Sequence, residues 1–170
     1  MSLMCVNARL VRRALDMDQG RCRRTPVYKH LLIATDGSEL AAKAVTTGLQ
    51  LAKALGAKVT AVTVTEAWAA MAPGEAALVF PVEEYEKAAA QNAAHILDGV
   101  CAQAQKLGVT CETVHVTEFP AEGIVLTAKD RGCDLIVMAS HGRRGISRIL
   151  LGSQAVRVLT HAPVPVLICR

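Results

Sequence analysis

Short apolar runs alternate with longer amphipathic segments along this chain of 170 residues, and that alternation predicts an α/β fold with a doubly wound parallel sheet. Helical segments between successive strands imply parallel strands joined by right-handed crossovers. The composition agrees, because 52% of the residues are hydrophobic and only 3% are aromatic, which suits thin, closely packed layers of helix on sheet. The predicted strands are residues 28–35, 58–65, 109–117, 134–138 and 164–169.

The first half of this pattern has well-defined helix and strand ends. Ser38 follows the first strand as a suitable N-cap, and the helix that it begins runs to Leu55, with Gly56 as its terminator. The second strand, 58–65, is rich in β-branched residues. Residues 66–80 form an apolar connection interrupted by Pro and Gly, which either covers a ligand or partner surface or is a local hydrophobic flap.

The second half contains three predicted helices, at 83–107, 120–131 and 153–162. The acidic residues in the first turn of the helix 83–107 complement the helix dipole, so we interpret them as a cap and not as a catalytic carboxylate pair. Pro120 is suitable for the first turn of the second of these helices.

Charge is distributed unevenly along the chain. Arginines are in excess in residues 1–25, whereas residues 26–170 balance basic and acidic side chains. We therefore divide the chain into a basic N-terminal extension, 1–25, and one α/β domain, 26–170, and attribute the net charge of +4 to the extension. No apolar run reaches the roughly 18 residues of a membrane span. Neither a nucleic acid nor a membrane is an expected partner.

The six cysteines show no CxxC pattern, and none pairs with a histidine at the spacing of a zinc site. In apolar contexts such as those of Cys101, Cys111, Cys133 and Cys169, a thiol is usually a small hydrophobe. Residues 1–25 lack the apolar core of a secretory signal. We expect reduced thiols, a cytoplasmic location and no dedicated metal site.

A glycine-containing loop follows the fourth predicted strand. Gly142 and Gly145 flank Arg143 and Arg144, and Gly152-Ser153 begins the last helix. Glycines let backbone N–H groups approach an anion, and the first N–H groups of a helix have no internal partner. Ser153 could cap this helix or donate its hydroxyl to a phosphate. The alternative is a loop whose glycines only turn corners.

The location of this loop favours the phosphate-binding interpretation. Asp36 and the loop both lie at carboxyl ends of strands, where doubly wound sheets bind ligands. The first strand lacks the G-x-G-x-x-G fingerprint of dinucleotide-binding domains, and no P-loop sequence occurs. The turn 142–145 also matches the G-x-x-G of an RNA-binding KH module, but the neutral charge of residues 26–170 argues against that class.

Three stretches together resemble the universal stress protein (UspA-like) family over residues 27–170: HLLIATDGSE, DLIVMASHGRRGISRILLGS and VLTHAPVPVLIC. The resemblance implies a five-stranded sheet of order 3-2-1-4-5. The ATP-binding branch of the family carries G-x2-G-x9-G-[ST], of which Gly142 and Gly152-Ser153 match the second half. Ala139 stands at the first glycine. If that position requires a positive φ, alanine costs about 1–2 kcal/mol; if φ is negative, the methyl group is harmless.

The resemblance also implies an adenine nucleotide ligand, ATP or ADP or AMP, with or without Mg²⁺. Asp36 would lie near the ribose and phosphates or near a nucleotide-bound Mg²⁺, the backbone of Val64 would contact adenine, and His141 would bond the ligand or cap the loop. The implied binding residues are Ala34, Thr35, Asp36, Val64, Met138, Ala139, Ser140, His141, Gly142, Arg143, Arg144, Gly152, Ser153 and Gln154. Family members pair through the last strand, so a homodimer through Val164, Val166 and Ile168 is expected.

The primary hypothesis is a cytoplasmic, ATP-binding stress protein that acts as a sensor or regulator. We identify no catalytic residue, because the sequence offers no positioned general base and no P-loop lysine, so at most slow ATP hydrolysis or autophosphorylation at Ser153 is expected. The alternative is a nucleotide-free dimeric interaction module of the same fold. An ATP-consuming ligase or pyrophosphatase would need a Ser/Gly-rich loop after the first strand, which Thr35-Asp36-Gly37 does not provide.

Overall fold

The computed structural model of the chain describes residues 27–67, 82–142 and 151–170. The predicted N-terminal extension, most of the 66–80 connection and the two loop arginines lie outside these residues. The elements are β1 His30–Ala34, α1 Glu39–Leu55, β2 Lys58–Thr65, α2 Val82–Leu107, β3 Cys111–Thr117, α3 Pro120–Asp130, β4 Leu135–Ala139, α4 Ser153–His161 and β5 Val166–Cys169. Their order is the predicted one, although β1, β3 and β5 begin two residues later than expected.

The five strands form one parallel sheet in the order β3-β2-β1-β4-β5. Both the parallel sheet predicted from the alternation and the strand order implied by the family resemblance are confirmed. The chain builds outward from β1 to β3, returns to β4 on the other side of β1, and ends at the edge strand β5. Since right-handed crossovers fix the side of each connection, the helices α1 and α2 cover one face and α3 and α4 cover the other.

The sheet centre is apolar on both faces because β1 is buried along its whole length. Leu31 and Ile33 face α1 and α2, whereas Leu32 packs with Val158 of α4 and the apolar side of α3. The helix α1 approaches β1 closely at Gly48, where a Cβ atom would lie 2.7 Å from Ile33 Cδ1. Burial of such side chains contributes roughly 25 cal/mol per Å² of apolar surface removed from water.

The ends of α1 agree with the sequence prediction. Ser38 is the N-cap, and its side chain accepts a hydrogen bond from the Ala41 N–H at 3.2 Å. Gly56 ends the helix with φ of +64°, a conformation that disfavours residues with a Cβ atom. These caps fix where the loop between β1 and α1 begins and ends, and that loop borders the candidate site.

The amino-terminal end of the sheet buries one histidine. His30 is 5% exposed, and its Nε2 atom pairs with Thr60 Oγ1 at 2.8 Å. Desolvation by burial lowers the pKa of His30, and the nearby Lys58 lowers it further, with Glu112 and Asp134 acting in the opposite direction. The unfolded chain therefore takes up a proton at this residue at a higher pH than the folded chain does.

We expect the free energy of unfolding to fall as the pH decreases below about 6.5, the ordinary histidine value, because protonation of His30 favours the unfolded chain. One proton contributes a slope of at most about 1.4 kcal/mol per pH unit. Urea denaturation of His30→Gln at pH 7.5 and 5.5 should show a smaller difference than wild type, whereas the exposed His95→Gln should behave like wild type. Equal pH dependence in wild type and His30→Gln would contradict this.

Candidate functional site

A cleft of about 690 Å³ opens at the carboxyl edge of the sheet. It lies where β1 and β4 are neighbours although the helices that follow them pack on opposite faces. The loops leaving these two strands diverge, and the space between them is where doubly wound folds place ligands. Its volume is within the range of small-molecule sites, about 300–1,000 Å³.

The structure brings together, around this one cleft, the sequence-predicted site residues that it describes. They are Ala34, Thr35, Asp36, Val64, Met138, Ala139, Ser140, His141, Gly142, Gly152, Ser153 and Gln154. The predicted residues Arg143 and Arg144 lie outside the described part of the chain.

Sequence reasoning missed several cleft residues, which come from β2 and the residue after it, from α1, α2 and α3, and from α4 and the residue before its N-cap. They are Ala41, Val62, Thr63, Thr65, Glu66, Tyr85, Asn92, Pro120, Ile124, Leu151 and Ala155. Alternation along β2 could have indicated its threonines. Tyr85 and Asn92 gave no local signal, because α2 reaches the cleft only through its packing on the sheet.

Hydrogen bonds hold the loop after β1 in place. Thr35 donates its N–H to Val62 O at 3.0 Å and accepts at its own carbonyl from Thr63 Oγ1 at 3.0 Å. Asp36 Oδ1 accepts from the Ser38 N–H at 3.0 Å, which orients this carboxylate at the start of α1. The loop therefore presents a fixed carboxylate to the cleft.

Gly142 is close to that carboxylate. A Cβ atom at this position would lie 2.9 Å from Asp36 Oδ2, closer than ordinary Cβ contacts allow. Gly142 is not among the glycines with positive φ, so the position requires a small residue because of space and not because of backbone conformation. The loop after β4 and the loop after β1 thus meet at one crowded point.

The amino terminus of α4 points into the same cleft. Gly152 is its N-cap, with φ of −69° and ψ of 153°, and Ser153 is the first helical residue. Of the two roles considered for Ser153, capping is therefore not the one observed. The Gly152 N–H donates to Ser140 O at 2.9 Å, and a Cβ on this glycine would lie 3.1 Å from the same oxygen. The first N–H groups of the helix have no intrahelical acceptor.

Two buried polar atoms of the cleft, His141 Nε2 and Gln154 Oε1, have no hydrogen-bond partner among the residues that the structure describes. The other ring nitrogen, His141 Nδ1, pairs with Ser140 Oγ at 3.1 Å, so the ring is held in place by one side only. An unsatisfied buried donor or acceptor costs about 1–3 kcal/mol. Both residues line the cleft beside the start of α4.

Ala139 is the last residue of β4, pairs with Cys169 of β5 and is 7% exposed. None of the described non-glycine residues has a positive φ. The backbone penalty considered for alanine at this position therefore does not arise.

The described ranges 27–67, 82–142 and 151–170 contain no group of three or more His, Cys, Asp or Glu side chains placed to hold a metal ion. Burial raises the pKa of the Cys133 thiol to about 11 and also that of Cys169, as for thiols packed as small apolar groups. Within those same ranges, no helix is long and apolar enough to cross a membrane.

Comparison with known proteins identifies the family. The universal stress protein family profile matches residues 27–170. A universal stress protein of Methanocaldococcus jannaschii is 35% identical over 145 residues, which span 85% of this chain and 83% of the relative. The structure of universal stress protein UspA from Lactobacillus plantarum gives a TM-score of 0.71 at 28% identity and covers 84% of this chain and 98% of its own. The structure of a universal stress protein in complex with cAMP gives a TM-score of 0.59 at 27% identity. The match covers 84% of this chain and 97% of the cAMP-bound chain. The chain belongs to the universal stress protein family.

Proposed function

We propose that this protein binds an adenine nucleotide in the cleft and acts as a regulator or sensor in the stress response. The observation that carries the proposal is the start of α4, where Gly152 opens the helix beside the unsatisfied atoms of His141 and Gln154. Free N–H groups at a helix start bind phosphate well, and the helix dipole adds to this. The related protein solved in complex with cAMP supports an adenine nucleotide as the ligand class.

Different polar groups of the cleft suit different parts of the nucleotide. The first N–H groups of α4, the Ser153 hydroxyl and His141 suit phosphate oxygens, because all of them can donate hydrogen bonds. The Asp36 carboxylate suits ribose hydroxyls, since a carboxylate accepts from them but repels an unscreened phosphate. Mg²⁺ bound to the nucleotide would have Asp36 as its protein carboxylate and would screen that repulsion.

The described residues favour binding over rapid turnover. Asp36 and Glu66 are the carboxylates that line the described part of the cleft, and Asp36 Oδ1 is already engaged by the Ser38 N–H. General-base catalysis needs a group within hydrogen-bond reach of the attacking water. We therefore propose slow hydrolysis or autophosphorylation at most. The competing proposal, a nucleotide-free interaction module, rested on Ala139 and loses that support because the φ of Ala139 is not positive.

Gly142→Ala should weaken AMP and ATP binding by at least about tenfold, because its new Cβ would lie 2.9 Å from Asp36 Oδ2 and displace the carboxylate or the loop. Ala139→Gly is the matched control, since it removes a methyl group three residues away without crowding, and should remain within about threefold of wild type. Isothermal titration calorimetry measures both variants. Chromatography of small molecules released from the denatured wild-type protein gives an independent check.

Two results would contradict this proposal, the first its ligand and the second the placement of that ligand. An empty wild-type protein with affinity no better than millimolar for AMP and ATP–Mg²⁺ would favour the interaction module. Wild-type affinity in the Gly142→Ala variant, with a substantial gain in Ala139→Gly, would show that the ligand contacts the β4 end differently from the arrangement proposed here.

We also propose a homodimer through the edge strand β5. Its residues 166–168 are apolar but only half-buried, and Val164 just before it is half-buried as well. The adjacent helix α4 exposes Val156 and Leu159, at 48% and 44%. An apolar edge strand with unpaired backbone groups favours pairing with a second chain.

Ile168→Lys should convert the protein to a monomer, because the charge would be buried on the α4 face of the sheet where the two edge strands meet. Leu126→Lys on α3, a residue already 50% exposed, is the control and should leave the dimer intact. Size-exclusion chromatography with light scattering measures the mass of each. A monomeric wild-type protein, or an unchanged dimer in Ile168→Lys, would contradict this interface.

A further inference from the structure

One wall of the cleft rises above the rest of the sheet edge. Ala34, the last residue of β1, is level with Val62 of β2, but β2 continues to Thr65 and remains paired with β3 up to Thr117. At about 3.3 Å per residue, the projecting part of β2 is about 10 Å tall. The helix α2, which packs on β2 and β3, adds a second surface beside this wall.

Tyr85, in the first turn of α2, is fixed to the top of the wall. Its hydroxyl donates to the carbonyl of Glu66, the residue directly after β2, at 3.1 Å. Its side chain is half-buried and lines the cleft. Asn92, two helical turns further along, lines the cleft as well. Tyr85 is the aromatic residue among the described cleft-lining residues, in a chain with only 3% aromatics. Its ring therefore borders the cleft in a restrained orientation.

The projecting part of β2 presents different side chains on its two faces. Val64 packs against α3 on one face, where Ile124 and Pro120 also line the cleft, whereas Tyr85 lies on the other face with α2. The Thr65 hydroxyl, which could bind a ligand, is instead paired with His115 Nε2 at 2.8 Å. The wall is therefore bordered by the Tyr85 ring on one face and by aliphatic side chains on the other, in contrast to the hydrogen-bonding groups at the start of α4.

The two ends are separated by the width of the intervening strand. Because β1 lies between β2 and β4, the β2 wall is two strand spacings, about 10 Å, from the β4 end. A ligand with its phosphate at the start of α4 would extend across β1 toward this wall. The part that reaches the wall would border the Tyr85 ring on the α2 face of β2, where a flat group makes the most contact with the ring.

We propose that Tyr85 is a specificity-determining residue that packs its ring against the base of the bound nucleotide. The proposal rests on the nucleotide-binding function above and adds the residue that selects for a planar heteroaromatic base over a sugar phosphate alone. The hydroxyl bond to Glu66 fixes the ring in place, and the ring surface itself makes the contact.

The test compares AMP with ribose 5-phosphate, which has the same phosphate and sugar but no base. Tyr85→Leu, which keeps apolar bulk without a ring, should weaken AMP binding by about 5- to 150-fold, the range of single base–aromatic contacts. Its affinity for ribose 5-phosphate should remain within about twofold of wild type. Tyr85→Phe keeps the ring and should stay within about threefold for AMP. Melting temperatures of both variants check that the fold is intact.

A spectroscopic readout is independent of affinity. Bound AMP should show reduced absorbance in its near-ultraviolet band with wild type and Tyr85→Phe, owing to contact with the ring, and this reduction should disappear with Tyr85→Leu at saturating AMP. The inference is overturned if Tyr85→Leu binds AMP as wild type does, or if Tyr85→Leu lowers the affinity for AMP and the affinity for ribose 5-phosphate equally. Wild-type protein that binds neither AMP nor ATP would instead refute the proposed function, and this inference with it.

Discussion

The cleft depends on the adjacency of β1 and β4 in the sheet. The chain leaves β1 toward α1 on one face and leaves β4 toward α4 on the other. Right-handed crossovers leave no other choice of side once the strand order is set. The two loops must therefore diverge, and no helix can fill the space between them. Burial of β1 and β4 from both faces stabilises the arrangement that keeps this space open.

Close approach of backbone groups gives the cleft its chemical character. A Cβ atom would lie 2.9 Å from Asp36 Oδ2 at Gly142 and 3.1 Å from Ser140 O at Gly152, so both positions are crowded. The consequence is that backbone N–H groups of α4 and the carboxylate of Asp36 face the same small volume. Such groups are strong partners for a phosphorylated sugar, because they are fixed before the ligand binds and lose little conformational freedom.

Buried polar groups have hydrogen-bond partners at one end of the sheet, whereas two at the other end lack them among the described residues. At the amino-terminal end, His30 is paired with Thr60, and Asp134 accepts two backbone N–H groups, at 2.7 and 3.1 Å. At the carboxyl end, His141 and Gln154 retain unsatisfied buried atoms. A satisfied polar network contributes to stability, whereas an unsatisfied one is tolerated where a ligand completes it. This contrast distinguishes the amino-terminal end of the sheet from the end where we propose that the ligand binds.

The sequence alone determined the alternation of elements, most helix ends and the loops that border the cleft, because these depend on local periodicity, caps and glycine positions. Ser38 and Gly56 acted as their local chemistry predicts. The strand order came from a family resemblance, since periodicity does not specify which strands are neighbours. Tertiary structure decided the rest. The φ of Ala139 depends on the pairing of this residue with Cys169. Gly152 became the N-cap of α4 where its N–H donates to Ser140 O. Tyr85 lines the cleft only because α2 packs beside the end of β2. Each of these is a long-range contact, and long-range contacts leave no periodic signal in the chain.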